Sequence, residues 1–244
     1  MIQEVREGAA GIGEKEAVVN LFWEEYLVGK HLFMRARDDK ALDDGAKRSL
    51  ARRGLELMKG AATGAQRYIE DHEVYSLQPR SYRFLGEVVM LSGKPDEAVE
   101  QFQRGMELFQ RMDDPMQRVN ALELAGFCAE ALARMGKIEA GISLARKTLE
   151  KYDNTEEGEA LRTRDYYTWA VWKLGCATKI ASAVADRVEE GFSLDESTRR
   201  ELLGMLDEAD RITVIPEEQE SWGDKSFQIR KDEINSLKGR LENL

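Results

Sequence analysis

Apolar residues recur at three- and four-residue spacings along almost the whole chain, and no window longer than four residues alternates in the β-branched manner of a strand. The pattern predicts an all-α protein of about nine helices. Its short connections force antiparallel neighbours. A first helix runs from Glu14 to about Arg37, with Val18, Leu21, Phe22, Tyr26 and Phe33 inward, and a second from about Ala46 to about Glu73. Pro79 suits a helix first turn and opens the third, which ends near Gly93, a natural left-handed residue after a helix. Asp96 starts the fourth, which ends in the turn Asp113-Asp114-Pro115. Pro115 to Met135 follows, closed by Gly136, and then Ile138 to Lys151. Asn154 and Glu157 stand at the spacing of a capping box and open a long helix reaching Glu190. Ser193 and Glu196 repeat that spacing before a helix ending near Pro216, and Asp224 to Asn243 forms the last.

Helical hairpins stacked side by side leave an internal period, and one is present. From Tyr82 the chain reads Leu85-Gly86, Val89, Gly93, Asp96-Glu97-Ala98, Phe102 and Gly105-Met106. About 43 residues later Ala125, Cys128-Ala129, Leu132, Gly136, Gly141, Ala145 and Thr148-Leu149 occupy the corresponding places. Small positions stay small, which lets two helices of a hairpin approach closely. Arg53-Gly54-Leu55-Glu56-Leu57-Met58 echoes Arg104-Gly105-Met106-Glu107-Leu108-Phe109 upstream, and Leu174-Gly175, Gly204, Ile212 and Pro216 suggest a further copy downstream. This pattern resembles a tetratricopeptide repeat, whose usual period is about 34 residues, so the longer spacing here means longer helices or turns. The good match covers about 70 residues.

The resemblance implies a right-handed α-solenoid of antiparallel hairpins, with the first helix of each lining a concave groove that binds a peptide or protein segment. Carried over, the groove positions are Arg80, Arg83, Glu87 and Met90 in one repeat and Glu123, Phe127, Glu130 and Arg134 in the next. The chaperone-binding subclass clamps a terminal carboxylate with lysine, asparagine and arginine. No asparagine stands at these places, and the glutamates would repel such a ligand. The expected organisation is a flexible leader over 1–13, a repeat domain over 14–223 with its clearest repeats at 80–152, and a capping helix over 224–244. In that last helix Phe227, Ile234, Leu237, Leu241 and Leu244 form a short heptad seam. Capping the solenoid is its first reading, and pairing two chains into a homodimer is the alternative.

Composition narrows the function. The net charge is −10, with 46 acidic and 36 basic residues, which argues against nucleic acid or anionic membrane as partner. Residues 80–152 hold 11 acidic and 11 basic side chains and 153–244 hold 21 and 13, so the acidity belongs to the C-terminal third. The richest apolar window, Ala17 to Met34, is broken by Asn20, Glu24, Glu25, Lys30 and His31 and is too polar to span a membrane. Glu4 and Glu7 stand where an export signal needs an apolar run. Cys128 and Cys176 lie within apolar helical stretches and read as reduced thiols, which suits the cytoplasm.

Candidate chemistry is thin. Gly8 to Lys15 has the glycines of a phosphate loop, but its lysine is out of register and Glu16 stands in place of the magnesium-binding hydroxyl. Asp38-Asp39 and Asp43-Asp44 approximate the aspartate-rich motif of prenyl-transferring enzymes, with Asp207-Glu208-Ala209-Asp210 as a poor second cluster. A metal-dependent all-α transferase is therefore the rival to a non-enzymatic scaffold. Neither His31 nor His72 has a ligand partner at metal spacing, and no cofactor or metal site is expected. Tyr166, Tyr167, Trp169 and Trp172 cover more than one helix face, so some of them pack in the core, and any ring left on the concave side would suit peptide binding.

Overall fold

A chain whose apolar side chains repeat every three or four residues can bury them only as helical stripes, and every element among the described residues is helical, with no strand. The computed structural model describes residues 12–213 and 224–243. The leader expected over 1–13 lies outside them but for its last two residues, which belong to the first helix. Pro216 and Leu244 also lie outside. The chain divides into two compact units, 1–105 and 106–244.

In the first unit α1 (Ile12–Asp38) and α2 (Asp44–Asp71) form a hairpin. The turn between them is held by aspartates. Asp39 accepts the N–H of Ala41 at 2.9 Å, and Asp43, the N-cap of α2, accepts that of Ala46 at 2.8 Å. Gly29 faces Gly54, Phe22 faces Gly64, and the Lys15 ammonium donates to the His72 carbonyl at 3.1 Å, so the helices run antiparallel. At the waist they touch backbone to backbone: a Cβ on Gly29 would stand 2.7 Å from the Gly54 carbonyl oxygen, and one on Gly54 2.6 Å from that of Gly29. Beyond the waist the stripe Val18, Val19, Phe22, Trp23 and Tyr26 packs on Met58, Ala61, Ala65 and Ile69. Each large side chain buried here contributes about 1.5–3 kcal/mol.

At the end of α2 the chain turns on Glu73, a non-glycine residue at φ 57°, and the Val74 N–H reaches back to the Ile69 carbonyl at 3.0 Å. A 3₁₀ turn (Tyr75–Leu77) leads into α3 (Gln78–Leu91), with Pro79 in its first turn. Phe84 brings its ring centroid to 4.3 Å from Tyr26 and 5.7 Å from Trp23. Gly93, at φ 80°, closes α3, and the ring of Phe102 on α4 (Pro95–Gln110) fills the space that a Cβ on Gly86 would need.

In the second unit the helix expected from Pro115 to Met135 is divided. A single turn, α5 (Pro115–Arg118), is capped by Asp114 and followed by α6 (Asn120–Arg134). Gly136 at φ 81° then turns the chain into α7 (Ile138–Asn154). The long helix expected from Asn154 to Glu190 is two helices, α8 (Glu156–Arg164) and α9 (Tyr166–Glu189). The break falls at Asp165, whose carboxylate accepts the Thr168 N–H at 2.9 Å and competes with continuation of the helix. Thr155, rather than Asn154, caps α8, while the Asn154 amide donates back to the Glu150 carbonyl at 2.9 Å. Likewise Asp195, rather than Ser193, caps α10 (Glu196–Ile212).

α6 lies against α7 and α9, and a Cβ on Gly141 of α7 would stand 2.7 Å from the Ala129 carbonyl of α6. α10 and α11 (Asp224–Glu242) pack on α9 and on each other. Phe227, Ile234, Leu237 and Leu241 are buried in this unit's core, so the seam that could have paired two chains is already occupied by the chain's own helices.

Candidate functional site

The expected groove positions on α3 are drawn into the first unit. Glu87, 6% exposed, accepts a hydrogen bond from the Tyr26 hydroxyl at 2.8 Å and one from the Lys30 ammonium at 2.6 Å. Burial pushes its carboxyl pKa up, but Lys30 and Arg83, with the two hydrogen bonds, outweigh burial and hold it below the ordinary value. The Tyr26 hydroxyl is raised well above its usual value, by burial first and then by the Glu87 charge. Met90 is buried as well. Arg80 is exposed with its guanidinium 4.2 Å above the Trp23 ring, and Arg83, half-buried, stands 5.2 Å from the Phe84 ring.

The positions on α6 behave similarly. Phe127 is buried beneath the Lys179 ammonium, 4.4 Å from its ring centroid. Glu130 is buried and pairs with Arg134 at 3.0 Å, and Arg134 also reaches Asp186 of α9 at 3.3 Å. Glu123 is half-buried. Four of the eight expected contacts, Glu87, Met90, Phe127 and Glu130, are therefore internal. The reason is side packing: helix faces that a periodic reading assigns to a groove are covered wherever a neighbouring helix lies alongside.

The remaining candidates resolve locally. Asp38 pairs with Arg37 at 2.6 Å, Asp39 and Asp43 hold the turn, and Asp207 and Asp210 meet Lys238 at 2.7 and 3.6 Å. Among the described residues no three His, Cys, Asp or Glu side chains are grouped to hold a metal ion, and no helix is long and apolar enough to cross a membrane. His31 is exposed. His72, at the end of α2, is half-buried and stacked on Tyr68 at 3.9 Å. Cys128 and Cys176 are buried free thiols, which burial raises to about 11 and about 12. Trp169 is buried and donates to the Tyr152 carbonyl at 3.1 Å, while Tyr166, Tyr167 and Trp172 pack on the same core more openly.

Two features of the second unit escape a one-dimensional reading. Lys173, 3% exposed, binds both oxygens of Asp153 (2.7 and 2.5 Å) and Glu208 (3.0 Å), tying α7, α9 and α10 together. The other is a groove of about 360 Å³ among the end of α4, the start of α6 and the second half of α7. Met106, Leu122, Ala125 and Leu144 form its apolar floor, and Lys147, Glu150 and Lys151, all exposed, stand on its rim with a net positive charge. The small residues Ala121 and Ala125, one turn apart on α6, leave the room. The i,i+4 spacings of those alanines and lysines were visible in the chain, but nothing in it places the two helices side by side.

No family model matches the sequence, and comparison with curated proteins finds no match.

Proposed function

We propose that the protein is a tetratricopeptide-like helical scaffold, a right-handed stack of antiparallel hairpins, that binds a protein or peptide segment without a chemical step. The observation that carries this reading is the groove of the second unit, with its apolar floor and the cations of Lys147 and Lys151 on its rim. Such a surface suits a segment with an apolar anchor and a neighbouring carboxylate. The close approaches at Gly29/Gly54, Gly86/Phe102 and Ala129/Gly141 support the repeat architecture, because each hairpin has a small residue at its crossing. The peptide site is thereby moved from the expected positions on α3 and α6, half of which are internal. A reducing compartment suits the two buried thiols.

Peptides selected from a random display library against the full chain test the reading. Binders should reach micromolar affinity and lose about tenfold or more with Lys147→Glu/Lys151→Glu, exposed positions at which the helical spectrum stays unchanged. Failure to select any binder, or binders indifferent to that reversal, sinks the proposal.

A further inference from the structure

Arg48, Arg52, Lys59 and Arg67 all stand on the outward side of α2. At 3.6 residues per turn they fall within an arc of about 100° and span about 28 Å of helix. All four are exposed, and none makes a hydrogen bond or ion pair with another of the described residues. Lys30, Arg118, Arg134, Lys173, Lys238 and Arg240 each meet a carboxylate, and other cations such as Lys147 and Lys151 stand unpaired; what distinguishes α2 is that four unpaired cations share one face. The exposed Glu56 and Glu70 fall within the same arc, so the face holds a net charge of about +2 in a chain of net charge −10.

A second observation falls on the same face. Between Lys59 and Arg67 the helix opens into a shallow notch of about 440 Å³ at Gly60, Thr63 and Gly64. Gly64 is accounted for inside the unit, because its Cβ would stand 2.5 Å from the Phe22 ring. Gly60 is not: a Cβ there meets nothing within 4 Å. Glycine weakens an exposed helix interior relative to alanine, so its presence here has a cost with no internal return.

We propose that this face docks an acidic protein segment: a helix presenting carboxylates one turn apart to the four cations, its backbone crossing α2 over Gly60. Carboxylates at i,i+4 are about 6 Å apart along a helix, and Arg48 and Arg52 repeat that interval. A polynucleotide fits less well. Glu56 and Glu70 interrupt the cations, and a peptide can set an uncharged residue opposite each of them, whereas a run of phosphates carries a charge at every step. The site shares no residue with the groove of the second unit, so either proposal can fail alone.

The test uses the full chain and a fluorescein-labelled, alanine-based peptide of about 20 residues with glutamate at every fourth position. Anisotropy is read at about 50 mM salt. Single-stranded DNA of about 20 nucleotides, phosphatidylserine vesicles and sedimentation of the protein alone report the other occupants. The peptide should bind saturably. Arg52→Glu/Lys59→Glu should weaken it about tenfold or more. Gly60→Trp faces open space, so it should keep or raise the thermal midpoint of the wild type yet also weaken binding, by about fivefold or more. The proposal is overturned by absent binding, by equal affinity in the variants, by tighter binding of DNA or vesicles than of peptide, or by a self-association that the same variants abolish.

Discussion

Lys30→Met removes the ammonium that faces Glu87 while keeping a side chain of similar reach on α1. Breaking a fully buried ion pair costs about 3–5 kcal/mol, because the surviving charge stays in the interior. Here Lys30 keeps 31% of its side chain exposed against 8% for Glu87, and Tyr26 and Arg83 remain beside the carboxylate. The expected loss at pH 7 is therefore about 2 kcal/mol, and the folded-state pKa of Glu87 rises once the Lys30 charge is gone. In the wild type that pKa is depressed, so the pair stabilises above the ordinary glutamate value of about 4.3 and its contribution disappears as pH falls through the lower folded value. The variant protonates Glu87 at a higher pH, and a neutral carboxyl no longer needs the lysine. Hence the gap between the two proteins should start to close where the variant titrates and be gone below the depressed wild-type pKa. Urea titrations followed by far-ultraviolet circular dichroism in steps from pH 7 to pH 3 measure it. Lys94→Met, which breaks the exposed Lys94–Glu97 pair, is the control and should leave the midpoint unchanged. A loss below about 0.5 kcal/mol at pH 7, or one that does not vary with pH, would refute the reasoning.

Gly54→Ala drives a Cβ into the backbone of α1 and should destabilise by about 2 kcal/mol, whereas Gly60→Ala on the same helix should stabilise by about 0.5–1 kcal/mol; chemical denaturation compares the two. Glu73→Gly relieves a left-handed non-glycine residue and should raise stability by about 0.5–1 kcal/mol, read as a higher thermal midpoint. With their thiols buried and pushed to about 11 and about 12, Cys128 and Cys176 should resist a thiol-specific chromogenic reagent at pH 8 in the native protein and both react in denaturant. Rapid native labelling of either would contradict their burial.

Helix positions were legible wherever local chemistry sufficed. Pro79, Gly93 and Gly136 mark their boundaries because φ preference and a missing N–H act within one residue. Caps were harder: Asn154, Thr155, Ser193 and Asp195 all carry a suitable oxygen, and the one that accepts is selected by where the preceding helix ends. The break at Asp165 lies at the end of the polar run Arg162-Thr163-Arg164-Asp165, where Leu161 and Tyr166 stand five residues apart instead of three or four, and that short interruption is its one local signal.

The candidate site was less legible still. Glu87, Met90, Phe127 and Glu130 have the spacing of an open helix face, and whether such a face is open depends on the neighbouring helix. Lys30 and Glu87 are 57 residues apart, and Lys173 lies 35 residues from Glu208. No local rule links them.

The sequence by itself determined an all-helical chain, the approximate places where its helices start and stop, and the small residues at which helices can touch, since each follows from side-chain volume, φ preference and a 3.6-residue period. Only the tertiary structure decided which charges are buried and paired, which glycines serve an internal contact and which face outward, and where a groove is left between helices. Those properties belong to pairs of surfaces brought together by packing, and a one-dimensional pattern carries each surface without its partner.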